Sequence, residues 1–402
     1  MLKLALRNLL RQRARTGLTL AAIALGVASL VLSGGFVEDI LVQLRESTIH
    51  SQLGHLQIYK RGQFASGGHD PYHYLIENPR DVERAVDALP GVVARAERLT
   101  FSGVISNRRG ELPILGEGIE PTREARIGSA ISLVAGRILR DLDGNGIMVG
   151  EGLASAMKLK VGDLVDLVLS TREGAMNTLE FKVVGIFRSL SKEYDARAIR
   201  IPLRAAQELT ATSGVSAVIV LLADTDATDR ARMKLETTLP HDYEVKTWRE
   251  LADFYNGTAA LYQRQFGFLQ AIILVMVLLG VANSINMTLY ERTPEFGIMR
   301  ALGRTSRYVF RLAVLETTVL GVVGAALGIA IGVVLAFAVS AVGIPMPPPP
   351  NSEAGFTATI RVVPTIIAAA FALGAFASVT ASLLPARHLA RLSVVQALRR
   401  GI

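Results

Sequence analysis

The chain has 402 residues, half of them apolar, few aromatic, with a mean hydropathy of +0.37 and no cysteine. That is too apolar for an ordinary soluble protein and too charged for one lying wholly within a bilayer, so a few spanning helices plus a sizeable water-facing domain are expected. Disulfides, thiolate zinc sites and thiol nucleophiles are excluded. The formal net charge of +8 is not a nucleic-acid footprint, because of where it sits. The excess is confined to three segments: Lys3, Arg7, Arg11, Arg13 and Arg15; then Arg292, Arg300, Arg304, Arg307 and Arg311 beside Glu291 and Glu295; then Arg387, Arg391, Arg399 and Arg400. Each segment borders an apolar run, and the remainder of the chain is net acidic, which is a membrane-topology signal.

In chain order, residues 1–16 read as an amphipathic cytoplasmic helix and 17–36, "GLTLAAIALGVASLVLSGGF", as the first span, since a bilayer core takes about 20 apolar residues as helix. The competing reading of this start is a cleaved signal peptide. The apolar run exceeds a usual h-region and no clear A-x-A site follows, so the span is expected to be retained. Residues 37–265 read as one large α+β domain with helical stalks. Within it, 37–52 continue the first span, 54–62 form a strand, 81–89 a helix, 145–169 a strand, short helix and strand, 179–189 and 215–224 further strands, 225–239 a helix and 248–265 a second stalk. Spans two, three and four are 266–289, 308–342 and 362–384. Between them lie a short charged segment, 290–307, and a loop, 343–361, whose "GIPMPPPPNSEAG" calls for a stiff polyproline-type turn. The tail is 385–402. The fold class is a membrane protein of four transmembrane α-helices with a large α+β extracytoplasmic domain between spans one and two. The positive-inside rule puts all three basic segments in the cytoplasm.

Gly324, Gly328 and Gly332 recur every four residues in span three and make one smooth ridge for close helix packing. Glu316, about a turn inside that span, needs a partner such as Arg311 or a neighbouring helix. Asn283, Ser284 and Asn286 in span two read as interhelical hydrogen-bond groups. Catalytic chemistry is sparse. There is no G-x-x-x-x-G-K-[ST], so ATP is not bound in the P-loop way, and neither H-E-x-x-H nor G-x-S-x-G occurs. "DLDGNGIMVGEG" (141–152) resembles a calcium loop at Asp141, Asp143, Asn145 and Gly146, but position twelve is Gly152; a glycine-rich turn before a strand explains it. His69, Asp70 and His73 read as loop residues rather than metal ligands. No catalytic residue, bound cofactor or metal is expected, and the chain is not read as an enzyme.

"ERTPEFGIMRALG" (291–303) leaves the membrane for about a dozen residues and returns. Phe296, Ile298, Met299 and Leu302 among charges suit a helix lying on the bilayer or docking in another protein's groove. Mixed charge, and Glu291 and Glu295 four apart on one face, favour a protein partner over lipid alone.

Five stretches then carry a resemblance, in order along the whole chain: "LALRNLLRQRARTGLTLAAIALGV", "IHSQLGHLQIYKRG", "MVGEGLASAMKLKVGD", "ERTPEFGIMRALGRTSRYVFRLAVLETTVLG" and "LPARHLARLSVVQAL". Together they resemble the MacB/FtsX-type ABC transporter permeases, closest to the lipoprotein-releasing Lol-like branch; Val394 stands where that family often has Pro. The resemblance implies that 291–303 is a coupling helix seated in a separate ATPase. Glu291, Arg292, Glu295, Gly297, Ile298, Arg300, Ala301, Leu302 and Gly303 would then be the contacts. It further implies an inner-membrane permease subunit working by mechanotransmission as a homo- or heterodimer of permease chains with two ATPase subunits that bind the ATP. The remaining implied partners are membrane lipids and a periplasmic carrier or adaptor; nucleic acid is not among them. Lipoprotein or lipid-like cargo is the leading expectation, with MacB-like efflux of amphiphilic molecules or FtsX-like signalling to a cell-wall hydrolase as alternatives. Outside the superfamily, a four-span receptor or scaffold predicts no complex with an ATPase, and a membrane enzyme needs a catalytic constellation that the sequence does not offer.

Overall fold

A computed structural model describes residues 13–66, 72–189, 191–291, 293–347 and 355–391. His69, Asp70, Arg292, Val394 and the outermost basic residues lie outside this set. The chain divides into two units. One is helical, with residues up to Val42, Thr258–Pro345 and the chain from Thr357; the other is an α+β domain of Gln43–Gly257 with Met346–Phe356.

The α+β domain contains ten strands: β1 (Leu56–Lys60), β2 (Val92–Ser106), β3 (Glu111–Ile119), β4 (Ser132–Gly136), β5 (Gly146–Gly150), β6 (Leu164–Ser170), β7 (Met176–Arg188), β8 (Ala198–Pro202), β9 (Ala217–Leu222) and β10 (Tyr243–Thr247). They form one mixed sheet in the order β10-β1-β9-β2-β3-β8-β5-β7-β4, with β6 bridging β2 and β7. Among the described residues, β3–β8 and β5–β7 pair in parallel. The long helix α1 (Arg13–Thr48) precedes the sheet, and shorter helices interrupt it: α2 (Gln63–Ser66), α3 (Arg80–Asp87), α4 (Pro121–Ile127), α5 (Glu151–Met157), α6 (Lys192–Asp195), α7 (Leu203–Thr210), α8 (Thr228–Thr238) and α9 (Trp248–Leu251).

All six residues of β9, "AVIVLL", are buried. Successive side chains of a strand point to opposite faces, so a strand covered on both sides has no polar position. Val218, Val220 and Leu222 join the main core, which α3, α5, α7 and α8 cap with Val82, Val86, Leu153, Leu209 and Leu235. Ala217, Ile219 and Leu221 join a smaller core on the other face, with Ile49, Ala96, Ile127, Trp248 and Ala252. The ends of both stalk segments therefore meet on that second face. The first stalk is helical to Thr48 and closes with a π-turn, Ile49–Leu53. The second is α9, capped by a Thr247–Glu250 capping box, followed by α10 (Asp253–Glu291).

The "GH" of "GHLQIY" has a local cause. Gly54 adopts φ +61°, and a Cβ there would lie 2.7 Å from Ile219 Cγ2. His55 is 1% exposed; its Nδ1 accepts the Leu222 N–H at 3.0 Å and its Nε2 lies 3.0 Å from Thr225 Oγ1. Burial, chiefly, with nearby His50 adding to it, depresses its pKa to about 4, so it is neutral at pH 7.

The helical unit contains the membrane part of α1, then α10, α11 (Thr293–Ala301), α12 (Ser306–Val342) and α13 (Pro364–Arg391). Among the described residues, four helices are long and apolar enough to cross a membrane: Thr16–Leu53, Asp253–Met287, Ser306–Val342 and Pro364–His388. Helix α13 continues through Pro385, beyond the 384 limit read from hydropathy. Strands β11 (Ile344–Met346) and β12 (Phe356–Ala358) flank the polyproline tract, of which 348–354 lie outside the described residues.

The glycine ridge of α12 faces α1 of the same chain. A Cβ on Gly324 would lie 2.9 Å from Ile23 Cβ; on Gly328, 2.6 Å from the Ala24 carbonyl oxygen; on Gly332, 3.2 Å from Ala28 Cα. Without Cβ atoms the two backbones come close enough for dispersion and Cα–H contacts to replace the hydrophobic drive that lipid does not supply. Gly26 and Gly374 give α1 similar access to Val277 of α10 and, through its Val27, to α13. Thr19 and Ser284 hydrogen-bond to one another, while Asn283 and Asn286 are exposed. Glu316 is buried.

Candidate coupling site

Helix α11 is nine residues long, with Pro294 in its first turn, where a missing N–H costs nothing. Its apolar spacing divides it into two faces. Phe296, 2% exposed, packs in the helical core with Val281, Ile285, Val309, Leu312 and Ala386, and Met299 packs against the same cluster. Thr293 and Gly297 are buried with them. This face seats the helix on α10, α12 and α13.

The opposite face is turned outward. Ile298 is 52% exposed and Leu302 80%, and Ala301 and Gly303 are exposed beside them. Glu291, the last residue of α10, is exposed; Glu295 and Arg300 are half-buried. Glu295 and Ile298 lie on α11 itself, Leu302 directly follows its last turn and Glu291 ends the helix before it, so two carboxylates precede two bare aliphatic side chains. Such an arrangement recognises a groove that is basic at one end and apolar at the other.

Gly303 has a conformational task. Its φ is +89°, its N–H donates to Arg300 O at 3.0 Å, and Arg304 N–H donates to Met299 O at 3.1 Å. These two bonds form a Schellman motif, and they end the helix sharply. Thr305 then caps α12: its Oγ1 accepts the Tyr308 N–H at 3.3 Å, and the Arg304 guanidinium sits 4.7 Å from the Tyr308 ring centre. The break between α11 and α12 is thus set by "GRT", and the exposed stripe is held by a rigid corner.

A second polar constellation in the helical unit escaped the sequence reading. Asp39 on α1 is 3% exposed. It accepts the Thr359 N–H at 2.7 Å and Arg361 Nε at 3.1 Å, while Arg361 N–H donates to Gly35 O at 3.2 Å. Ser340 of α12 accepts the Ile360 N–H at 2.9 Å. The segment leading into α13 is therefore pinned to α1 and α12 at once. Its signal was a pair of acids, Glu38 and Asp39, just past span one and a lone base just before span four, which sequence spacing alone does not join.

The carboxylates of the calcium-like stretch are used internally. Asp143 pairs with both Arg137 Nη atoms at 2.5 and 2.7 Å and accepts the Arg140 N–H, and Asp141 accepts from Thr122. The Arg137 bond holds the Asp143 carboxyl below the usual carboxylate range. Among the described residues no group of three or more His, Cys, Asp or Glu could hold a metal, and His73 stacks edge-on with Tyr74.

Four apolar helices, with an α+β domain inserted after the first and a short helical corner between the second and third, define a multi-span membrane protein. Residues 16–238 match the model of the MacB-like periplasmic core domain, and 267–394 match that of the FtsX-like permease C-terminal region. An uncharacterized ABC transporter permease of Methanocaldococcus jannaschii is 22% identical over 84% of this chain and 84% of its own length. The lipoprotein-releasing system transmembrane protein LolC of Xylella fastidiosa is 26% identical over 79% of this chain and 75% of its own length. The periplasmic region of MacB from Actinobacillus actinomycetemcomitans superposes with a TM-score of 0.38 at 14% identity, covering 54% of this chain and 97% of that structure. The first model alone takes in more than half of the sequence, and the chain belongs to the MacB/FtsX-type family of ABC transporter permeases, with its α+β domain periplasmic.

Proposed function

We propose that this chain is the transmembrane subunit of an inner-membrane ABC machine that releases lipoprotein or similarly lipid-linked cargo by mechanotransmission. A second permease chain, identical or related, and two copies of an ATPase complete it. The observation that carries the proposal is the outward stripe of α11, a rigid amphipathic corner with its apolar half uncovered. Glu291, Glu295, Ile298 and Leu302 contact the ATPase through their side chains, with Arg292, Arg300 and Ala301 flanking; Gly297 and Gly303 shape the corner. ATP-driven closure of the ATPases moves α11, and α10 and α1 pass that movement to the periplasmic domain. Similarity to LolC over most of the chain supports lipid-linked cargo.

Co-expression with a candidate P-loop ATPase, followed by co-purification and ATP turnover in proteoliposomes, tests the proposal. Ile298→Asp and Leu302→Asp should lose the ATPase, and Glu295→Lys should uncouple cargo from turnover, with the periplasmic domain folded in all three. Cargo-stimulated turnover unchanged in all three removes the coupling assignment. The match of 16–238 to the MacB-like model favours a second reading, efflux of amphiphilic molecules; turnover stimulated by such molecules and not by lipidated peptide selects it.

A further inference from the structure

The π-turn Ile49–Leu53 ends the first spanning helix, and the last carbonyls of a helix have no partner within it. Here each has one, two from the residues that close the turn and three from more distant parts of the domain. Ile49 O accepts the Gly54 N–H at 2.9 Å and His50 O the Ala130 N–H at 3.0 Å. Ser51 O accepts from Arg200 Nη2 at 3.4 Å, Gln52 O from Arg98 Nη1 at 2.7 Å, and Leu53 O from Gln57 Nε2 at 2.8 Å. The two guanidiniums are buried, and they come from strands β8 and β2. They also bind two acids. Arg98 pairs with Glu124 of α4, and lies 3.6 Å from Glu117 of β3; Arg200 lies 3.0 Å from Glu117. Burial alone would raise the Glu117 pKa, but Arg98 and Arg200 outweigh it and hold the carboxyl ionised. Two positive and two negative groups cancel inside the domain.

An ion cluster of this kind contributes little stability over an apolar one of equal volume, because desolvation offsets the attraction. What it supplies is direction. A guanidinium donates along fixed lines and also favours the negative end of a helix dipole, so it can hold backbone carbonyls that an aliphatic side chain cannot. We infer that Arg98 and Arg200 are positioning residues that lock the closing turns of the first spanning helix, from Gln43 on, to the sheet, through the Ser51 and Gln52 carbonyls, so that these turns and the sheet move as one body. The small core around Ile49, Trp248 and Ala252 supplies the contact area, and the arginines fix its register. The transmission part of this inference rests on the proposed permease mechanism; the rigidity part does not.

The absence of cysteine makes the test direct. Spin labels on Ser47→Cys and Ala125→Cys, in the full chain in nanodiscs, report the distance between the end of α1 and α4. Exchange of the Gly54 amide reports the turn itself. The unaltered chain should give one narrow distance. Arg98→Met/Glu124→Leu, which removes both members of the buried pair, and Arg98→Lys, which keeps the charge opposite Glu124 but not the reach to Gln52, should each broaden that distance. Each should also speed Gly54 exchange on the order of tenfold with the domain still folded. If the double variant does not fold, Arg98→Lys decides. A narrow distance and unchanged exchange in the folded variants overturn the lock. With the ATPase present, Arg98→Lys should lower cargo released per ATP without loss of ATPase binding. A loosened turn with unchanged release per ATP overturns the transmission role. Loss of ATPase binding in the unaltered chain instead overturns the permease reading, and leaves the label and exchange results standing.

Discussion

Gly328 offers the sharpest test of how the helical unit is held together. In Gly328→Ala the new Cβ would lie 2.6 Å from the Ala24 carbonyl oxygen, 2.8 Å from Val27 Cβ and 3.0 Å from Ala24 Cα. Two of these three atoms are backbone of α1, so no side-chain rotation relieves the clash and the helices must separate. Overpacking of this kind costs about 1–3 kcal/mol. A gap of about 0.5–1 Å forfeits a quarter to a half of each dispersion contact along the seam. Leucine at the same place should cost more, since its further carbons meet the same wall. The alanine series has a built-in order. Gly324 meets Ile23 Cβ and Cγ2 at 2.9 Å, a longer approach with no backbone atom among the three nearest, and Gly332 meets nothing nearer than 3.2 Å. The expected ranking of damage is Gly328, then Gly324, then Gly332. Gly280 of α10 is the control, because a Cβ there meets nothing within 4 Å, and alanine in an open helical position stabilises by about 0.5–1 kcal/mol. The assay is the thermal midpoint of the purified full chain, read by tryptophan fluorescence and by aggregation. Equal midpoints for Gly328→Leu and Gly280→Leu would refute the packing argument.

Three further outcomes follow from local geometry. His55 is neutral in the fold with a pKa of about 4, below the ordinary 6.5. The unfolded chain therefore binds the extra proton first, and stability is lost as pH falls from 6.5 through 4, by roughly 3 kcal/mol in total; His55→Gln should flatten that part of a urea-unfolding pH series. Asp39→Asn should loosen the segment before α13 by about 1–2 kcal/mol, since a charge-assisted bond becomes a neutral one, and limited trypsin cleavage after Arg361 should quicken. Gly303→Ala meets no atom but forces an alanine to φ +89°, which costs about 1–2 kcal/mol; it should weaken ATPase binding while leaving the periplasmic domain's melting unchanged.

Much of the helical unit was legible because membrane signals are local. A run of about 20 apolar residues and the basic residues beside it need no knowledge of distant contacts. The strands that read well, β1, β5, β6, β7 and β9, have apolar stretches bounded by turns. Strand β2 read poorly for a physical reason. Its "VVARAERLTFSGVIS" carries Arg95, Glu97 and Arg98, a pattern that suggests a solvent face, yet Arg98 points into a buried ion cluster. The amphipathic character of 291–303 was legible from residue types, but its division into a seated face (Phe296, Met299) and an uncovered one (Ile298, Leu302) required the neighbouring helices.

By itself the sequence determined the number of spans, the inserted domain, and a small-residue ridge suited to helix packing. These properties depend on composition and on periods of a few residues. Only the tertiary structure decided that the ridge meets α1 of the same chain and that Asp39 reaches Arg361. It alone brought Arg98, Glu117, Glu124 and Arg200 together around two carbonyls of one turn. Those partners are separated by tens to hundreds of residues, and no short-range pattern records which strands the sheet will place side by side.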